Sequence, residues 1–138
     1  MIPDRQRLEP RKAILIIYRK IELLSGFKPA RFVHALSDTE VEDAIESFRH
    51  FPVLVRELTH GVVSIESEIT TAERSLTTLT ATGHGQYWPS PDDTRPELDG
   101  LAPAWRYDSV FVFWPQANLG TRYSVPTAGW GLAIAATP

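Results

Sequence analysis

The sequence predicts an α/β fold of the α+β kind, with a mixed sheet of about four strands, one long helical crossover and long C-terminal loops. Three observations carry that expectation. One is the continuous apolar, β-branched run Ala13-Ile-Leu-Ile-Ile-Tyr18. Another is an amphipathic stretch that opens on a helix-capping sequence at Ser37. The last is a segment from Val62 in which apolar and polar residues alternate.

Residues 1–11 are polar, carry Pro3 and Pro10, and read as an arm. Residues 12–22 follow as a strand. A run without polar interruption fits a strand covered on both faces, at the centre of a sheet. Ser25-Gly26 ends it. Ser37-Asp-Thr-Glu40 is a capping box, in which the serine oxygen accepts from the N3 amide and Glu40 reaches back to the cap amide. Asp38, Glu40, Glu42 and Asp43 place negative charge where the helix dipole favours it. Val41, Ala44, Ile45 and Phe48 recur at helical spacing. Pro52 predicts a kink. Leu54, Val55 and Leu58 predict that the apolar face continues, and Gly61 is the expected C′ residue.

Val62 to Thr70 switches to a period of two. Val63, Ile65 and Ile69 alternate with Ser64, Glu66, Glu68 and Thr70, which reads as a half-exposed strand. Strand, helix and strand together predict a βαβ unit over residues 12–80. Residues 81–106 hold Gly83, Gly85 and Gly100, prolines 89, 91, 96 and 103, and Asp92, Asp93 and Asp99, and so read as one long loop. Tyr107 to Trp114 is a further buried strand, ended by Pro115. A second polar loop contains Asn118, Gly120 and Pro126. Gly129-Trp-Gly-Leu-Ala-Ile-Ala135 reads as a terminal edge strand lying close to something. Residues 107–138 complete what is expected to be a single domain, 1–138.

The 138 residues are 43% hydrophobic and 22% charged, a globular composition with enough apolar residues for a core. The net charge of −3 offers no basic field for nucleic acid or an anionic membrane, so neither partner is expected. The absence of cysteine excludes disulfides, thiolate metal sites and thiol nucleophiles. Met1-Ile-Pro-Asp-Arg-Gln-Arg7 lacks the pattern of a signal peptide, and the longest apolar run is too short to span a bilayer.

The histidines, at 34, 50, 60 and 84, have no i, i+4 pair with an intervening glutamate, the spacing that turns two imidazoles toward one zinc. His34, His50 and His60 read as surface or helix-end residues. His84 lies between two glycines, near Tyr87 and Trp88, and is the histidine that reads as a ligand candidate. Asp92, Asp93 and Asp99 lack the offsets of a calcium loop and read as turn formers. No Gly-x-Ser-x-Gly elbow or phosphate-binding loop occurs. A site assembled from distant loops, such as His84 with Asp92, Asp93 or Asp108, is recognised only by geometry. Trp88, Trp105, Trp114 and Trp130 all lie in the C-terminal half. His84, Tyr87, Trp88 and Trp105 are the candidates for a surface that binds carbohydrate or peptide, against the alternative that the rings cap the core. No cofactor or metal is expected.

The order of these elements, with Tyr-Asp-Ser-Val-Phe-Val-Phe113 and then Gly-Trp-Gly-Leu-Ala133, resembles the N-terminal part of zincin-like metallopeptidase domains, including secreted bacterial ones. In that family the last of these strands is an antiparallel edge that lines the cleft and pairs with substrate backbone. The resemblance implies that Trp130, Gly131, Leu132 and Ala133 face a peptide, and that the active-site helix with its His-Glu-x-x-His would follow Pro138. No counterpart of the metal ligands or the general base is present. The implied protein is a non-catalytic fragment or a degenerate member, with no zinc hydrolysis of its own, and extracellular if the resemblance holds.

Overall fold

The computed structural model describes residues 10–24, 31–81, 87–115 and 133–136. The elements in chain order are β1 (Arg11–Ile17), β2 (Lys20–Leu24), β3 (Arg31–Ala35), α1 (Asp38–Leu58), β4 (Ile65–Thr71), β5 (Thr80–Ala81), β6 (Tyr87–Trp88), α2 (Arg95–Leu101), β7 (Ser109–Phe113) and β8 (Ala133–Ala136). The main sheet has the order β4-β1-β7-β8. β1 is central and parallel to both neighbours, with Leu15 opposite Ile69 on one side and Phe111 on the other. β8 runs antiparallel to β7, pairing Ala133 with Val112 and Ile134 with Phe111.

The centrality of β1 explains its composition. Ala13, Leu15 and Ile17 face α1 and pack with Leu36, Val41, Phe48 and Phe111. Ile14, Ile16 and Tyr18 face the other way and pack with Leu76, Leu98, Ala102, Val110, Val112 and Trp114. Leu15, Ile16 and Ile17 are fully buried, and each contributes roughly 1.5–3 kcal/mol through burial. The first core is sealed by edge-to-face rings, Phe111 standing 5.4 Å from Phe48 and 5.2 Å from Phe51.

The helix begins as the capping box requires. Ser37 Oγ accepts from the Glu40 amide at 3.1 Å, and the Ser37 amide donates to Glu40 Oε1 at 3.0 Å. Pro52 lies inside the helix. Its end differs by one residue from the expected one. The Gly61 amide donates to Arg56 O at 2.8 Å and the His60 amide to Glu57 O at 3.3 Å. These are the two bonds of a Schellman closure, with His60 at C′ and Gly61 at C″. Both residues have positive φ, 53° and 80°.

Three further expectations are corrected. The strand expected over 12–22 is two strands. β1 stops at Ile17, where the Tyr18 amide donates to Phe113 O, and β2 departs to form an antiparallel hairpin with β3. Ile21 and Leu23 are buried while Lys20 and Glu22 are more exposed, a period of two that the adjoining apolar run hides. The stretch expected as one loop carries the β5–β6 pair and α2. Pro96 sits in the first turn of α2, where a missing amide is harmless, and burial of Leu98 and Ala102 supplies the reason to fold. Finally, Leu54 and Leu58 are exposed. The stripe set by Val41, Ala44 and Phe48 continues through half-buried Phe51 and Val55 instead.

Candidate functional site

The sequence points to three places, and the structure treats them differently. At the terminal edge, Ala133 begins β8, the last strand in the sheet order. Gly129, Trp130, Gly131 and Leu132 lie outside the described residues, as does His84. β8 adds to the backbone edge of β7 that β1 leaves open, Ser109–Val112 standing opposite Ala133–Ala136.

The loop aromatics separate. Trp114 is in the core and Tyr87 packs partly against it. Trp88, on β6 opposite Thr80, is 36% exposed. Trp105 is 81% exposed. Its turn is closed by the Arg106 amide donating to Pro103 O at 3.1 Å. Within that turn φ is positive only at Trp105, at 74°, which is the type II pattern that usually calls for glycine.

The loop acids form a buried polar cluster at the carboxyl ends of β1 and β4. Tyr18, the residue after β1, donates its hydroxyl to Glu97 Oε1 at 2.5 Å. Arg74, in the turn after β4, holds the same carboxylate through Nε at 2.9 Å and Nη2 at 2.7 Å. Nη2 also donates to Asp93 O at 2.7 Å, and the guanidinium lies 5.8 Å from the centre of the Tyr18 ring. Asp93 accepts from Thr78 Oγ1 at 2.6 Å, from Thr80 Oγ1 at 2.7 Å, and from Ser90 through its amide at 2.7 Å and its hydroxyl at 2.9 Å. Thr94 Oγ1 closes the turn on Ser90 O at 3.0 Å.

Burial pushes the Tyr18 hydroxyl well above the ordinary phenol range, and Glu97 beside it adds to the effect. For Asp93, burial alone acts upward, but the bonds from Thr78, Ser90 and Thr80 together outweigh it and hold the carboxyl below its ordinary value. No buried side-chain polar atom lacks a partner among the described residues. The carboxyl ends of parallel strands are where open α/β sheets place ligands. Here the polar groups are consumed by one another, so the cluster clamps the fold.

Asp108 accepts the Lys12 amide at 2.9 Å and pairs with Arg11 at 3.8 Å, so it fastens the start of β7 to the start of β1. Asp92 pairs with Arg95 at 3.6 Å, and Asp99 is exposed on α2. Asp92, Asp93 and Asp108 therefore each have a local partner. His34 is half-buried on β3, and His50 is exposed on α1. Among the described residues, no group of three His, Asp or Glu side chains could hold a metal ion, and no helix is long and apolar enough to cross a membrane.

Sequence reasoning missed the Tyr18–Arg74–Glu97 grouping. Glu97 lies 79 residues from Tyr18 and 23 from Arg74, so no local pattern connects them. The single hint was a glutamate amid Pro96, Leu98 and Leu101, where burial of an acid requires a partner. Comparison of the chain with protein-family models, with curated proteins and with solved structures found no match.

Proposed function

We propose that the chain builds the strand-lined peptide cleft of a zincin-like metallopeptidase domain, as a fragment or degenerate member that binds extended peptide and does not itself hydrolyse it. One observation carries the reading. Among the described residues β8 lies antiparallel at the end of a sheet whose other three strands are parallel, with α1 in the crossover from β1 to β4. A strand in that place offers backbone amides and carbonyls at ladder spacing, and an extended peptide binds such an edge by main-chain hydrogen bonds. The mixed order of the sheet is also the arrangement that the resemblance implied.

The test uses a mixture of end-blocked, unstructured hexapeptides titrated into isotope-labelled protein. The amides of Ala133–Ala136 are expected to shift. In an antiparallel ladder successive residues point their amides to opposite sides. Proline at one of Ile134 and Ala135 therefore abolishes the response while leaving the β7 pairing intact, and proline at the other disrupts the pairing itself. Titration with zinc chloride alone is expected to show no stoichiometric high-affinity site. Tight zinc binding, or peptide shifts confined to other strands, would discard this reading.

A further inference from the structure

Trp105 is anomalous in two respects at once. Its indole stands almost wholly in solvent, and its backbone occupies the left-handed region that a bulky residue avoids. The residues on either side of it are anchored. On one side Ala102 is buried and its amide donates to Leu98 O at 2.9 Å. On the other side Tyr107 is buried, donates its hydroxyl to Glu68, and lies under the Arg106 guanidinium, 5.8 Å from the ring centre. The turn is thus held rigidly at both ends. A glycine at its third position would relieve the backbone and remove the exposed ring. A side chain that works against the fold on both counts, on a fixed support, is the kind of outlier that points to a function.

We propose that Trp105 is a stacking platform for a pyranose ring, an interaction site separate from the β8 edge. The indole offers a flat apolar face. Close by in the chain stand the exposed Arg106 guanidinium and the Asp108–Arg11 pair. A sugar presents an apolar C–H face together with hydroxyls that donate and accept, so it matches an exposed aromatic ring with groups of both signs next to it in the chain. An apolar peptide side chain needs a concave seat, whereas Pro103, Ala104, Trp105 and Arg106 are all exposed. An anionic bilayer would meet the Asp108 carboxylate as well as the cations.

The probes are cellohexaose, chitohexaose and xylohexaose, each titrated to millimolar concentration and read by indole N–H resonances. The Trp105 resonance is expected to move with at least one of them. Trp105→Ala is expected to weaken that binding roughly tenfold. Trp105→Gly should show the same loss together with a raised Tm, so misfolding cannot explain it. Trp88→Ala should leave the binding unchanged. The proposal is overturned if none of the three sugars moves the Trp105 resonance, or if both Trp105 variants bind like the parent. Trp105-dependent partition onto phosphatidylcholine–phosphatidylglycerol vesicles without a sugar response would also overturn it, in favour of a membrane contact.

Discussion

At the scale of single residues, two non-glycine positions among those described adopt positive φ, His60 and Trp105, and they do so for different reasons. His60 is the C′ residue of α1, and its conformation lets two amides reach the last carbonyls of the helix. Trp105 closes no helix. A left-handed conformation costs a side chain about 1–2 kcal/mol, while glycine gives back part of that gain through the freedom of the unfolded chain. His60→Gly and Trp105→Gly are each expected to stabilise by about 0.5–1 kcal/mol, read as a higher urea midpoint at constant slope. Only the second should alter ligand binding. Which residue would take the left-handed place was half legible in the sequence. Gly61 marked the end of the helix, but hydrogen bonding put the C′ position one residue earlier.

At the scale of elements, the segment from β5 to α2 is organised by one carboxylate. Asp93 gathers donors from Thr78, Thr80 and Ser90, and so ties the proline-bearing turn at 90–94 to the chain before β6. Asp93→Ala strands those donors and is expected to cost about 3 kcal/mol. The pH dependence follows from the direction of the shift. The folded carboxyl titrates below its ordinary value. Its stabilisation is therefore complete above the unfolded value, near about 3.9, and is lost as pH falls through the folded value. Urea midpoints between pH 6 and pH 2 should fall more steeply for the parent than for Asp93→Asn. The run Ser90-Pro-Asp-Asp-Thr94 was legible as a turn. That its second aspartate turns inward was not, because the donors at Thr78 and Thr80 come from the chain before β6.

At the scale of the whole molecule, β1 is the axis, and each of its faces is covered by a different helix. One cover, α1, announces itself through its cap and its stripe. The other, α2, is short and is secured by Glu97, which Tyr18 and Arg74 hold from the ends of β1 and β4. Breaking this group from one side leaves a buried charge. Arg74→Met is expected to destabilise by about 3–5 kcal/mol, whereas Arg74→Met with Glu97→Gln should recover part of the loss, because the neutral amide still accepts from the Tyr18 hydroxyl. A double-mutant cycle in urea measures the difference. If the double variant proved as unstable as the single one, the ion pair would not be what couples α2 to the sheet.

What the sequence by itself determined is the local layer: the doubly buried strand, the boxed helix, the alternating strand and the α/β class. Each is written in neighbouring residues as spacing, capping chemistry or period. Only the tertiary structure decided the rest. It ended the first strand at Ile17, because the pairing with β7 runs out at Phe113 and the chain then turns to pair Lys20–Leu24 with β3. It folded α2 from a loop-like composition, because β1 offered an apolar face for Leu98 and Ala102. It sorted the aromatics as well, burying Trp114 and leaving Trp105 in solvent. Exposure and pairing depend on residues far apart in the chain, and a pattern of neighbours carries no record of them.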